Sequence, residues 1–186
     1  MVTFGCKCKD NAGEQKSSGE LKKIDVFDFQ EKIVKLIAKD WMLITAGTPD
    51  KFNTMTASWG CLGNLWNKPV AIVFVRPQRY TFEFTEANDR MTLSFFPDNY
   101  RPQLTLLGTK SGRDTDKVKE SGLTPIQTPY GNMTFKEARI VVEGKKLYAD
   151  FFEPESFIDK SIDTSIYPTK DYHKMYIIEI ENIYIK

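Results

Sequence analysis

Three stretches of this chain carry residue types that could do chemistry. Asn53-Thr54-Met55-Thr56-Ala57-Ser58-Trp59-Gly60 is a strand-like run crowded with small hydroxyl residues. It ends on a glycine that would let a ligand approach the backbone. Such a strand can offer main-chain and hydroxyl hydrogen bonds to a flat heterocycle, and it reads equally well as an edge strand whose threonines serve β propensity. Arg76-Pro77-Gln78-Arg79-Tyr80-Thr81 sets two guanidinium groups and a hydroxyl at the start of a short helix. That combination suits a phosphate, through charge-assisted bonds and free main-chain N–H groups, provided that Glu83 points away; the competing reading is a solvated strand end. His173 is the single histidine of the chain. It is read either as a residue that positions a reactant or as one hydrogen-bonded beside the last strand. Cys61 has two readings, small core filling or a redox group, and Trp59 and Trp66 read as ring-stacking or as packing residues.

The elements that must position these residues follow from pattern. Asp25 precedes Val26, Phe29, Ile33, Leu36 and Ile37 at helical spacing, which predicts an amphipathic helix capped by Asp25. Strands are predicted at Trp41–Ala46, Asn53–Trp59, Val70–Val75, Met91–Phe96 and Met175–Ile185, with the Val70–Val75 run buried on both faces. Ala138–Glu143 and Lys146–Phe152 flank Gly144-Lys145, which predicts a tight hairpin. Helices are predicted from Phe82 to Ala87 with Thr81 as cap, from Tyr100 to Gly108, and from Asp114 to Glu120 with Gly122 as stop. About seven strands with helices tucked between them, and no βαβ alternation, predict a mainly β barrel with a few peripheral α-helices.

Composition narrows the function classes. The 186 residues are enough for one domain, predicted over residues 24–186, and residues 1–23 read as a polar, disordered lead-in. Aromatic residues make up 13%, with thirteen Phe and eight Tyr, which favours strands. Basic and acidic residues number 26 and 25, so no global field exists to hold nucleic acid. No apolar run approaches the roughly 20 residues of a membrane helix. Cys6, Cys8 and Cys61 cannot all pair within one chain, and no spacing fits zinc or an iron–sulfur cluster. A cytoplasmic location is expected. The opening Met1-Val2-Thr3-Phe4-Gly5-Cys6 offers a truncated lipoprotein start as the alternative.

Lys51 to Gly60, Leu65-Trp66-Asn67-Lys68-Pro69, Val75 to Thr81 and Thr92-Leu93-Ser94-Phe95-Phe96 occur in an order that resembles the flavin reductase and flavoredoxin family. Ser111-Gly112-Arg113-Asp114-Thr115-Asp116-Lys117 looks like its SGxDxDK segment, and His173-Lys174-Met175-Tyr176-Ile177 resembles its C-terminal histidine. The chain departs from the family in placing Asp171-Tyr172 before that histidine, where Gly-Asp is frequent. The resemblance implies a Greek-key split β-barrel that binds FMN, with the flavin site at a homodimer interface. It implies that Asn53, Thr54, Met55, Thr56, Ala57, Ser58 and Trp59 lie against the flavin ring. Arg76, Arg79, Tyr80 and Thr81 would take its phosphate tail, Ser111 would join the cofactor site, and His173 would position the reactant. The implied activity is NAD(P)H-dependent flavin reduction. The alternatives are a flavoredoxin-like module served by a separate redox protein and a flavin-binding protein without turnover.

Overall fold

The computed structural model describes residues 20–186. Lys22–Ile24 forms β1, which adds antiparallel to the far end of the last strand through pairs such as Lys22 with Ile185. This removes residues 20–23 from the predicted lead-in; residues 1–19, with Cys6 and Cys8, lie outside the described residues. The predicted helix from Asp25 does not form as one piece. Asp25 does cap, accepting from the Phe27 N–H, but only a single 3-10 turn follows at Val26–Asp28. Helix α1 is Ile33–Lys35 and runs on as a π-helical turn, Leu36–Asp40. Val26, Phe29, Ile33, Leu36 and Ile37 still pack on the core, so tertiary contact is satisfied by an irregular path and a regular helix adds nothing.

β2 (Met42–Gly47), β3 (Phe52–Ala57), β4 (Gly60–Leu65) and β5 (Lys68–Val75) follow in succession. β4 escaped prediction because its glycines and Cys61 lack strand character. It pairs with β5 through a turn at Trp66-Asn67, both with positive φ of 54° and 58°, the twist that two-residue hairpins prefer. Trp66 sits at that tip, exposed and away from the cleft described below. Cys61 is exposed as well, which excludes core filling. β5 has one fully buried face, whereas Ile72 and Phe74 on the other are half-buried.

Helix α2 (Tyr80–Ala87) leads into β6 (Arg90–Phe95), and α3 (Arg101–Thr109) and α4 (Lys117–Ser121) follow. Arg79, and not Thr81, stands at the N-cap of α2 and supplies no side-chain bond. α4 is capped by Asp116 and stopped by Gly122 at φ 71°. β7 (Pro125–Gln127) and β8 (Met133–Phe135) form a small ribbon. β9 (Ile140–Phe151) and β10 (Lys174–Ile185) are twelve residues each, and α5 (Lys160–Ile166) lies between them.

The hairpin predicted at Gly144-Lys145 is therefore corrected to one continuous strand. Ile140 to Glu143 and Lys145 to Phe151 do not pair with each other; both pair with β10. Gly144 marks a close approach instead, since a Cβ there would lie 2.4 Å from the Glu179 carbonyl oxygen, and the β9–β10 ladder is bulged on both sides of this point, at Leu147 of β9 and at Glu181 of β10.

The sheet order is β3-β2-β6-β9-β10-β5-β4, with β1 on β10, and every strand pair is antiparallel. Met55 from one end of this path and Ala71, Val73 and Val75 from near the other end share one core, so the sheet wraps around it. Alternate residues of β2 serve two layers. Met42, Ile44 and Ala46 face that inner core, and Leu43 faces a second cluster with Leu104, Leu107 and Phe135. Glu143 is fully buried between layers, and its carboxylate accepts from Thr128, Asn132, Asn182 and Tyr184. No helix among the described residues is long and apolar enough to cross a membrane.

Gly144→Ala must push β9 off β10. A loss of roughly 1–3 kcal/mol is expected, read as a lower urea midpoint at unchanged slope; an unchanged midpoint would contradict the close approach.

Candidate functional site

β3 and β4 are the two ends of the sheet order, yet they are consecutive in sequence. Ser58-Trp59 carries the chain from one unpaired edge to the other. A cleft of about 460 Å³ opens at this crossing, lined by Met55 to Trp59, Arg76, Arg79, Tyr80, Thr81, Ser111 and His173 among others. A smaller recess of about 240 Å³ shares Thr56, Ala57, Ser58 and Arg79 with it and reaches Trp41.

Two of the predicted residues do not line the cleft. Thr54 is fully buried and bonds the Thr45 hydroxyl at 2.9 Å and the Ile44 carbonyl at 3.2 Å, so it is covered by β2, whereas Thr56, on the same face two residues nearer the crossing, reaches the cleft. Asn53 is buried one layer behind, where its amide nitrogen donates to Thr81 Oγ1 at 2.9 Å. Thr56 lines the cleft, but its hydroxyl donates to the Leu104 carbonyl of α3.

Two glycines set how near the helical layer comes. A Cβ on Gly108 would lie 3.1 Å from Thr56 Cβ, so α3 rests directly on β3. A Cβ on Gly112 would lie 2.5 Å from Asn53 Oδ1, so the Ser111-Gly112 turn closes one wall.

The two arginines have different duties. Arg76 is committed: Nη1 meets Asp171 at 2.5 Å, Nη2 donates to the Ile166 carbonyl at 3.0 Å, and its guanidinium lies 5.3 Å over the Tyr167 ring. Thr169, Gln78 and Arg76 all bond the Asp171 carboxylate and hold its pKa down at about 2. Arg76 thus fastens the segment before β10, in place of the second free guanidinium expected from sequence. Arg79 is exposed, spends one nitrogen on the Gly108 carbonyl at 2.7 Å, and has no carboxylate partner among the described residues. Glu83 pairs with Arg113 at 2.5 Å and does not line the cleft. The first-turn N–H groups of α2 have no side-chain cap.

The cation that sequence reasoning missed as a site residue is Lys117, the first residue of α4. It is 4% exposed, lines the cleft, and donates to the Leu107 and Lys110 carbonyls at 3.0 and 3.2 Å. Among the described residues it has no carboxylate partner. Burial, with Arg79 adding repulsion, lowers its pKa from 10.5 to about 8, so at neutral pH the ammonium is charged and unbalanced. A buried charge without a counterion is costly, and a bound anion would neutralise it. The only sequence signal was its place at the end of the Ser111–Lys117 segment, and residue type alone says nothing of burial.

His173, also in the cleft lining, is 9% exposed, and its ring centroid lies 5.1 Å from that of Trp59. Its Nδ1 is 2.8 Å from the Tyr167 hydroxyl. Burial, and then the charge of Arg76, lower its pKa to about 4, so the ring is neutral at physiological pH. The cleft lining therefore combines two cations without carboxylate partners, Arg79 and Lys117, with a neutral aromatic pair, Trp59 and His173.

Comparison with known proteins places this geometry. The chain resembles an FMN-binding domain of flavin reductase-like enzymes from Shewanella baltica at a TM-score of 0.65 and 15% identity, covering 89% of this chain and 77% of that one. It resembles flavoredoxin of Desulfovibrio vulgaris (Miyazaki F) at 0.60 and 20%, covering 78% and 69%. It also resembles an NADH:FAD oxidoreductase of Streptomyces globisporus, solved with NAD and FAD fragments, at 0.57 and 12%, covering 79% and 74%. A search of curated proteins finds no match. The likeness shows a mainly β, split-barrel fold. The flavin reductase like domain family matches residues 34–186, nearly the whole described chain, and the protein belongs to that family.

Proposed function

We propose that the protein binds FMN in the cleft between β3 and β4 and reduces it with NADH or NADPH, passing the electrons to a further acceptor. The observation that carries this reading is Lys117, a buried ammonium without a carboxylate partner that lines the cleft beside Arg79 and the uncapped start of α2.

The residues fit the cofactor. A volume of about 460 Å³ lies within the roughly 300–1,000 Å³ of small-molecule sites. Lys117, Arg79, the hydroxyl of Ser111 and the first-turn N–H groups of α2 would hold one compact phosphate, which suits FMN better than the extended tail of FAD. The edge of β3 from Met55 to Ala57, with Ser58, would offer main-chain groups to the flavin ring. Bound FMN supplies the redox chemistry, taking up a hydride and releasing electrons in one or two steps. The chain's own part is orientation. Trp59 supplies an aromatic lip, the Arg76–Asp171 pair fixes the segment carrying His173, and the neutral His173 offers a hydrogen bond without adding positive charge. No protein acid or base is required for hydride transfer between the two cofactors.

Mixing the FMN-loaded protein anaerobically with NADH or NADPH is expected to bleach the flavin absorbance, with a rate that carries no histidine titration between pH 5.5 and 8.5, because His173 titrates near 4. In light scattering the loaded protein is expected as the dimer that family resemblance implies. Stable FMN binding without bleaching by either nucleotide would exclude reductase action and leave the flavoredoxin-like role.

Lys117 gives a second, independent expectation. Its pKa is about 8 in the free protein, and a phosphate partner must raise it, so binding takes up a proton above pH 8. FMN affinity is expected to fall about tenfold from pH 7 to 9, a range in which the FMN phosphate stays dianionic. Lys117→Met should bind FMN roughly 10- to 100-fold more weakly, with no such slope. Isothermal titration across this range checks both. A flat wild-type profile would remove Lys117 from the phosphate site.

A further inference from the structure

His173 lines the cleft with one ring nitrogen tied down from behind. The partner at Nδ1 is the Tyr167 hydroxyl at 2.8 Å, and Tyr167 is 2% exposed. Its ring is held by Phe152, Phe157 and Tyr172 at centroid distances of 6.5, 5.9 and 5.0 Å, with the Arg76 guanidinium over it. The phenol therefore cannot turn away, and His173 Nδ1 is the one side-chain partner the structure gives its hydroxyl.

The direction of that bond follows from counting donors. Were the imidazole proton on Nδ1, the phenol proton would be left buried with no acceptor among the described residues. With the phenol donating to a bare Nδ1, both groups are satisfied and the ring proton must sit on Nε2. His173 Nε2 has no protein partner among the described residues, yet it is not among the fully sealed polar atoms, so it keeps access to the cleft. The charged groups around the ring are Arg76, Arg79 and Asp171. The two arginines oppose a second proton, and Asp171, already held by Arg76, Gln78 and Thr169, favours it only weakly.

We propose that Tyr167 is a positioning residue: by donating to Nδ1 it fixes His173 as the Nε2–H tautomer, so that the cleft presents one N–H donor beside Trp59 to the carboxamide oxygen of the bound dihydronicotinamide. The target of the donor rests on the function proposed above, whereas the tautomer does not. A donor so placed selects a reactant by its carbonyl, and it works in binding and orientation and not in proton transfer.

The chain's single histidine makes the test direct. In tag-free protein carrying ¹⁵N-labelled histidine, long-range ¹H–¹⁵N correlation at pH 7 is expected to show a protonated Nε2 and a bare Nδ1. Tyr167→Phe keeps the aromatic cage and removes the donor, so the ring should move to a mixture of tautomers. The KM for NADH in reduction of bound FMN should then rise roughly five- to tenfold, with a smaller change in kcat. His173→Gln can place an amide N–H near the Nε2 position, and in that background Tyr167→Phe should no longer matter. A wild-type ring protonated at Nδ1 or at both nitrogens would overturn the proposal, and so would a Tyr167→Phe protein with unchanged spectrum and KM. If the wild type binds FMN yet ignores NADH, the proposed function and the donor's target fall together, while the spectrum still decides the tautomer.

Discussion

The structure depends on one gap in its hydrogen bonding. A wrapped antiparallel sheet satisfies its backbone along seven strands in path, and it stops between β3 and β4, which follow each other in sequence but do not pair. An unpaired strand edge must be covered or used. Here α2 and α3 cover the β3 edge in part, through Thr56 against α3 and Asn53 against Thr81, and the remainder opens as the cleft. The glycines at 108 and 112 make this possible, since side chains there would hold the helical layer away from the strand.

The charged residues that line the cleft are all basic. Arg79 repels both Lys117 and His173 and contributes to the lowered pKa of each. Arg76 is neutralised by Asp171 and becomes a structural clamp on the chain before β10. The segment from α5 to β10 looks like connection, and by this clamp it is drawn into the site. The chain's departure from the family pattern at Asp171-Tyr172 belongs here. Asp171 is the counterion of Arg76, and Tyr172 packs on Tyr167 while bonding Asp163. The departure supports the histidine's surroundings and does not empty them.

Much of the fold was legible wherever burial and local propensity agree. β2, β5, β6 and β10 are apolar runs bounded by turn residues, and α2 and α3 appear within a residue or two of their predicted bounds. The failures share a cause in tertiary context. Gly144-Lys145 has hairpin chemistry, but a glycine serves equally where two backbones approach, and only the pairing of both flanks with β10 decides. β4 has no strand-like composition because it is an exposed edge. In the site, the stretches around Asn53 and Thr81 are brought together, while cover by β2 removes Thr54 and pairing with Asp171 takes up the Arg76 guanidinium. Lys117 and Tyr167 could not be found by residue type, because what makes them functional candidates is a missing counterion and a single available acceptor.

On the function proposed above, Lys117 and Arg79 serve a phosphate joined to a flavin. Calorimetric titration of the protein at pH 7 with FMN and, separately, with riboflavin isolates that phosphate, since the two ligands share the ring and the ribityl chain. Charge-assisted bonds from Lys117 and Arg79 predict FMN binding tighter than riboflavin by at least roughly a hundredfold, with one FMN per chain. Equal affinity for the two would contradict the claim.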